Sequence, residues 1–149
     1  MKKILIITLV LTLAACLAGG SGLSRNKQIW ENTGISHYRF ELDLSCFCAF
    51  RDQMPLTVEV QDEEVVSITG ADGEIIPTDD LNYEYFSKYA TINRLFTVLE
   101  AVAVDPEAGE VIVKYDPTFG YPTEASIDYI ELAADDELYI TISGFEKLP

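Results

Sequence analysis

Histidine is almost missing from this 149-residue sequence, which holds one, His37, alongside three cysteines, two methionines and one tryptophan. So sparse a ligand set speaks against zinc, which needs about four nitrogen, sulfur or oxygen ligands gathered at one point. One histidine, with no serine in a nucleophile-elbow context, also speaks against a triad hydrolase. Positive charge is scarce too, with 10 Lys and Arg against 25 Asp and Glu and a formal net charge of −15. A surface of that sign repels phosphates, which excludes nucleic acid as a partner and leaves anionic lipid head groups without an electrostatic hold. The one long apolar run, Ile4 to Leu13, falls short of the about 20 residues a membrane-spanning helix requires. What is present is a sequence 48% hydrophobic, with 8 Tyr and 7 Phe, enough for the core of one ordinary domain.

The start of the chain carries an address. Lys2 and Lys3 precede the apolar run, which closes on Leu13-Ala14-Ala15-Cys16. A cationic start, a short apolar stretch and small residues before a cysteine make up a bacterial export signal with an acylation site. The pattern resembles the lipobox of bacterial lipoproteins, which implies that residues 1–15 are removed as a signal peptide and that Cys16 carries the lipid. Loss of Lys2 and Lys3 leaves 8 basic residues against 25 acidic, a net −17. One acyl chain holds a protein marginally and two hold it stably. Multiple acylation of Cys16 is therefore what so acidic a chain needs for attachment. The Gly/Ser-rich stretch Leu17 to Gly22 reads as a flexible tether, giving residues 16–23 as lipidated cysteine plus tether and 24–149 as a single domain. The expected location is the cell envelope, lipid-anchored to membrane. Leu17 carries no retention-like acid, so resemblance to diderm sorting favours the outer membrane in a diderm host.

The domain reads as α+β. Ser24 to Gly34 has a capping serine, Ile29, Trp30 and Thr33 on one side and a terminating glycine, which predicts a short helix. From Tyr38 the pattern alternates, with Tyr38, Phe40, Leu42 and Leu44 on one face and Arg39, Glu41, Asp43 and Ser45 on the other. Leu56, Val58 and Val60 repeat it. The polar turn Asp62-Glu63-Glu64 leads into a strand from Val65 to Thr69, and Asp72-Gly73 marks the next turn. Pro77 to Tyr89 has no period and is predicted to be irregular. Ile92, Leu95, Phe96, Leu99, Val102 and Ala103 recur at helical spacing up to Asp105-Pro106. Strands are expected at 110–115, 124–132 and, after Asp135-Asp136-Glu137, 138–145. These elements predict an antiparallel meandering sheet with helices on one face. Phe40, Leu42, Val58, Val60, Ile140 and Ile142 are expected on its inner face. The order of elements is compatible with a doubled αβββ unit.

Cys46-Phe47-Cys48 is the sharpest local feature. With Cys16 acylated, Cys46 and Cys48 are the remaining pair in an exported chain, which favours a disulfide. An ideal strand would hold their Cα atoms about 6.6 Å apart, so bridging needs a bend, and the short ring would be strained and reducible. A structural staple ranks first here, a thiol redox role second and a two-thiolate copper(I) site with Met54 third. His37 falls on the opposite strand parity and points away from both sulfurs, so it adds nothing to a metal site. It reads as a surface residue at a strand start. The segment Asp116-Pro117-Thr118-Phe119-Gly120-Tyr121-Pro122 combines turn formers with Phe119 and Tyr121. It is either a rigid loop packed on its own domain or an aromatic surface that binds a ligand or protein. The acidic clusters at 62–64, 79–80 and 135–137 match no calcium loop and read as solvated turns.

Tyr38-Arg39-Phe40, Ser45-Cys46-Phe47-Cys48, Thr91-Ile92 with Leu95-Phe96, and Tyr115-Asp116-Pro117 with Gly120-Tyr121-Pro122 together resemble domain-of-unknown-function family 6174, a family of secreted proteins and lipoproteins. The resemblance runs from about Trp30 to the end of the chain and implies no activity. It makes Cys46, Cys48 and the 116–122 loop the first positions to test. The expected function is a membrane-anchored envelope lipoprotein that binds or scaffolds rather than catalyses, without cofactor or metal. Its partners are the membrane, through the lipid, and an envelope protein or small-molecule ligand. The alternative is a thiol redox or metal-handling protein using the Cys-Phe-Cys pair.

Overall fold

The computed structural model of the chain describes residues 20–130, 133 and 136–149. The segment 1–15, Cys16 and Asp135 lie outside the described residues, as do the last two positions of the strand expected at 124–132. In chain order the elements are α1 (Gly20–Asn32), β1 (His37–Ser45), β2 (Leu56–Gln61), β3 (Glu64–Thr69), α2 (Tyr83–Ser87), α3 (Ile92–Ala103), β4 (Val111–Tyr115), β5 (Pro122–Ile127) and β6 (Leu138–Lys147). The six strands form one antiparallel sheet in the order β3-β2-β1-β6-β5-β4. The domain is thus α+β.

Alternation sorts the side chains. Tyr38, Phe40, Leu42 and Leu44 of β1 are buried in register beside Leu56, Val58 and Val60 of β2 and Ile140 and Ile142 of β6. The intervening Arg39 and Glu41 are exposed, because a pleated strand sends neighbours to opposite faces. The period then changes to that of a helix. In α3, Ile92, Leu95, Phe96, Leu99 and Val102 are buried, and α3 packs against β4, β5 and α1. Its start is held from two directions. Thr91 Oγ1 accepts the Arg94 N–H at 3.1 Å, and the Tyr38 hydroxyl accepts the Ile92 N–H at 3.1 Å. Desolvation raises the Tyr38 phenol to about 12, which keeps it neutral in that role.

Three elements differ from expectation. The strand expected at 124–132 runs instead as Pro122–Ile127, and residues 128–130 lie outside it, with Asp128 closing the ladder on Glu110 and Gly109. Helix α1 begins at Gly20 rather than Ser24, so residues 20–23 of the expected tether form its first turn. The cause is Leu23, which is buried in the core and carries the helix one turn further back. Residues 83–87, expected to be irregular, form α2, because Phe86 is fully buried and packs edge-on against Phe50 at 5.0 Å. The β2–β3 connection is a two-residue turn in which Asp62 (φ +51°) and Glu63 (φ +69°) both adopt left-handed backbone.

Candidate functional site

Strand direction gathers connections at each end of the sheet. One end carries the end of β1, the start of β2 and the end of β3, with the starts of β6 and β4. Leu23 and Gly22 of α1 lie beside Val111 and Val102 there, so α1 also begins at this end. Cys46-Phe47-Cys48 stands here, immediately after β1. The chain leaves strand geometry at Cys46, which brings the two Cα atoms to 5.2 Å and joins the sulfurs in a disulfide. The expected bend is present, and the bond closes a ring of three residues.

The bridge sets its two half-buried cysteines against the domain and turns Phe47 outward, where it is 89% exposed. Strand parity and the bridge together account for this. Even-numbered residues of β1 face the core as far as Leu44, and beyond Ser45 the three-residue ring keeps that sense, with both sulfurs toward the domain and the intervening Phe47 in water. The strand part of that signal is present in the alternation from Tyr38 onward. Behind the bridge lies a firm base. Phe50 is buried against Tyr85 at 5.1 Å and Phe86 at 5.0 Å, and the Leu44 N–H donates to Met54 Sδ at 3.5 Å. Gln53 joins the neighbouring loops, accepting from Ala71 N–H at its carbonyl (3.0 Å) and from Asn82 Nδ2 at its side chain (3.2 Å). Cys46, Phe47, Cys48, Ala49 and Arg51 line an open depression of about 470 Å³. Ile75 and Leu81, on the loops after β3, are 69% and 98% exposed at the same end.

Tyr89 and Tyr129 lie nearby with hydroxyls 3.2 Å apart, and Lys88 Nζ stands 5.3 Å and 5.8 Å from the two ring centres. Burial raises Tyr89 and Tyr85 above the ordinary phenol value.

The 116–122 loop lies at the opposite end. Asp116 Oδ1 accepts the N–H groups of Thr118 (2.9 Å) and Phe119 (2.7 Å), and Gly120 adopts φ +77°. Gly120 presses on α1 so closely that a Cβ there would stand 2.7 Å from the Asn26 carbonyl oxygen. Tyr121 is buried and stacks on Phe145 at 4.6 Å, with Trp30 edge-on at 6.2 Å. Phe119 is half-buried against Phe145 at 5.9 Å. Both aromatic side chains thus pack within their own domain, and the loop and the Cys-Phe-Cys tip do not meet.

His37 opens β1 at that far end. Its Nδ1 lies 2.9 Å from the Pro149 carbonyl oxygen and its Nε2 3.2 Å from Glu59 Oε1. These two bonds raise its pKa above 6.5, the Pro149 bond most. Its partners are neither sulfur nor a nucleophile. Among the described residues, no three His, Cys, Asp or Glu side chains group as metal ligands, and no helix is long and apolar enough to cross a membrane.

No curated protein and no solved structure matches the chain. The model of the family of unknown function DUF6174 matches residues 22–147, a span that contains both the Cys-Phe-Cys and the Tyr-Asp-Pro signatures, and the chain belongs to that family.

Proposed function

We propose that the protein is a membrane-anchored envelope lipoprotein that acts as a binding module through the end of the sheet bearing Cys46-Phe47-Cys48. One observation carries this reading: a phenylalanine 89% exposed on a loop braced by a disulfide. The core gains nothing from that ring. Holding it in place beforehand lowers the entropy lost when a partner covers it. Ile75 and Leu81, at the same end of the sheet, are exposed as well. Cys16 as the lipid site follows from the lipobox-like start, and α1 begins at the same end of the domain as the tip. The domain architecture is read as a doubled αβββ unit with helices on one face. Its support is that each half places a helix before a three-stranded meander.

The thiol redox alternative rests on the same bridge, which is half-buried rather than enclosed. Two variants separate the readings in intact envelopes. Phe47→Asp should keep the bridge and the fold but lose co-purifying partner protein, whereas Cys46→Ser, which leaves Phe47 in place, should retain part of it. Loss of partner in Cys46→Ser with none in Phe47→Asp would transfer the function to the sulfurs. Cys16→Ser should move the domain from the membrane fraction to the soluble fraction, and equal membrane retention would end the lipid-anchor reading.

A further inference from the structure

The two edges of the sheet are treated differently by the chain. At β3 the returning segment covers the last two residues of the edge, since Ile75 bridges Thr69 and the Ile76 N–H donates to the Ile68 carbonyl at 2.8 Å. A bulge opposite β2 further breaks the regularity of that strand. Strand β4 has an apolar Val111-Ile112-Val113 edge. The Glu110 carbonyl accepts the Asp128 N–H (3.0 Å) and the Asp116 N–H donates to the Tyr121 carbonyl (2.9 Å), so even-numbered residues of β4 turn their peptide groups toward β5. By alternation, the N–H and C=O groups of Val111, Val113 and Tyr115 point away from the sheet. Apolar side chains accompany them. Ile112 is 51% exposed, and Val111, Val113 and Tyr115 form with Leu23 and Val102 a groove of about 470 Å³ along the strand.

We propose that β4 pairs with β4 of a second copy of this chain, antiparallel and centred on Ile112, making one continuous sheet across two protomers. The charges select that occupant and that register. With Ile112 opposite its own counterpart, Val111 faces Val113, Glu110 faces Lys114, and symmetry gives the same ion pair at both ends. Glu110 and Lys114 are both exposed, and Lys114 Nζ already holds Glu124 Oε2 at 2.6 Å on the same side. The outward peptide groups of Val111 and Val113 become the hydrogen-bonded pair. Ile112 with Ile112, and Glu110 with Lys114, become the close non-hydrogen-bonded pairs in which side chains interact most. Shifting the centre by one residue, to Val113, sets Glu110 against Asp116, which is repulsive. The net charge of −15 opposes association only over distances that physiological salt screens beyond about 8 Å, which leaves the local pairs to decide the register.

The test is site-directed cross-linking in the full chain carrying Cys16→Ser, with Cys46–Cys48 oxidised, so that an introduced thiol is the only free one. Facing residues of a non-hydrogen-bonded pair have Cα atoms about 4.5 Å apart, within disulfide reach. Ile112→Cys should therefore give a covalent dimer about tenfold faster than Lys114→Cys, whose copies would stand about 13 Å apart along the strands. Val113→Pro removes an outward N–H without touching the β4–β5 ladder and should abolish the excess. Should that variant misfold, charge reversal decides. Lys114→Glu should slow the Ile112→Cys dimer about fivefold, and adding Glu110→Lys in the same chain should restore it. Equal cross-linking at positions 112 and 114, or an excess indifferent to Lys114→Glu, would overturn the pairing.

Discussion

Gly120→Ala tests how firmly the 116–122 loop is docked on α1. The residue sits at φ +77°, where an L side chain costs about 1–2 kcal/mol. The added methyl group would also meet the Asn26 carbonyl oxygen at 2.7 Å and Ile29 Cβ at 2.9 Å, both closer than contact allows. Neither is the end of a flexible side chain, so helix and loop must separate, at about 1–3 kcal/mol for overpacking. The two together give about 2–5 kcal/mol. Gly34→Ala supplies the control, because Gly34 has φ +62° with open space around it and should show the conformational cost alone, about 1–2 kcal/mol. In urea titrations followed by far-UV circular dichroism, with a slope of about 1.5 kcal/mol per molar, the Gly120→Ala midpoint should fall by about 1 to 3 M. A Gly120→Ala midpoint no lower than that of Gly34→Ala would mean that the loop yields freely, and the packed account of Phe119 and Tyr121 would fail with it.

Phe96→Ala should destabilise by about 3–5 kcal/mol in the same titration, since the ring is fully buried in α3; a loss near zero would place the helix out of phase. Glu63→Gly should stabilise by about 0.5–1 kcal/mol, because it relieves a left-handed backbone position (φ +69°) in the β2–β3 turn, and a destabilised variant would contradict that turn. Cys46→Ser opens a ring of only three residues, so its cost should be about 1.5 kcal/mol, less than for a long-loop bridge. Intact-mass measurement after alkylation should find both thiols blocked only once reductant is added. The His37 imidazole, followed by NMR, should titrate above 6.5, and Glu59→Gln should lower its midpoint. Because the folded pKa is the raised one, the stability His37 contributes is full below about 6.5 and is lost as pH rises through the folded midpoint.

Periodicity made the core legible. Phe40, Leu42, Val58, Val60, Ile140 and Ile142 are buried where alternation puts them, and α3 runs from Ile92 to Ala103 as its apolar spacing requires. Those positions are decided by water on one side and packing on the other. Helix α2 was not legible, because five residues are too few to display a period and Phe86 is held by Phe50, 36 positions away. The early start of α1 escaped for a related reason: Gly20 and Gly22 favour coil locally, and only the tertiary burial of Leu23 outweighs them. At the candidate site, the Cys-Phe-Cys spacing showed a bridge that would need a bend. The outward aim of Phe47 depends on the bend and bridge that follow β1, and its firm base is assembled from α2 and the loops near Gln53, which no local pattern joins.

The middle of the sheet is closed by its first and last strands. Tyr38 pairs with Lys147 and Ser45 with Tyr139, partners separated by about a hundred positions. The Tyr38 hydroxyl that caps α3 comes from the same early strand. A ribosome therefore releases β1, β2 and β3 well before the strand that completes their centre exists, and the nascent amino-terminal half waits with the inner side of β1 unpaired. Contacts so distant along the chain make loop closure the slow step, so refolding should belong to the millisecond-to-second class of non-local topologies rather than to that of helical bundles. Such a delay leaves the domain open until β6 has emerged.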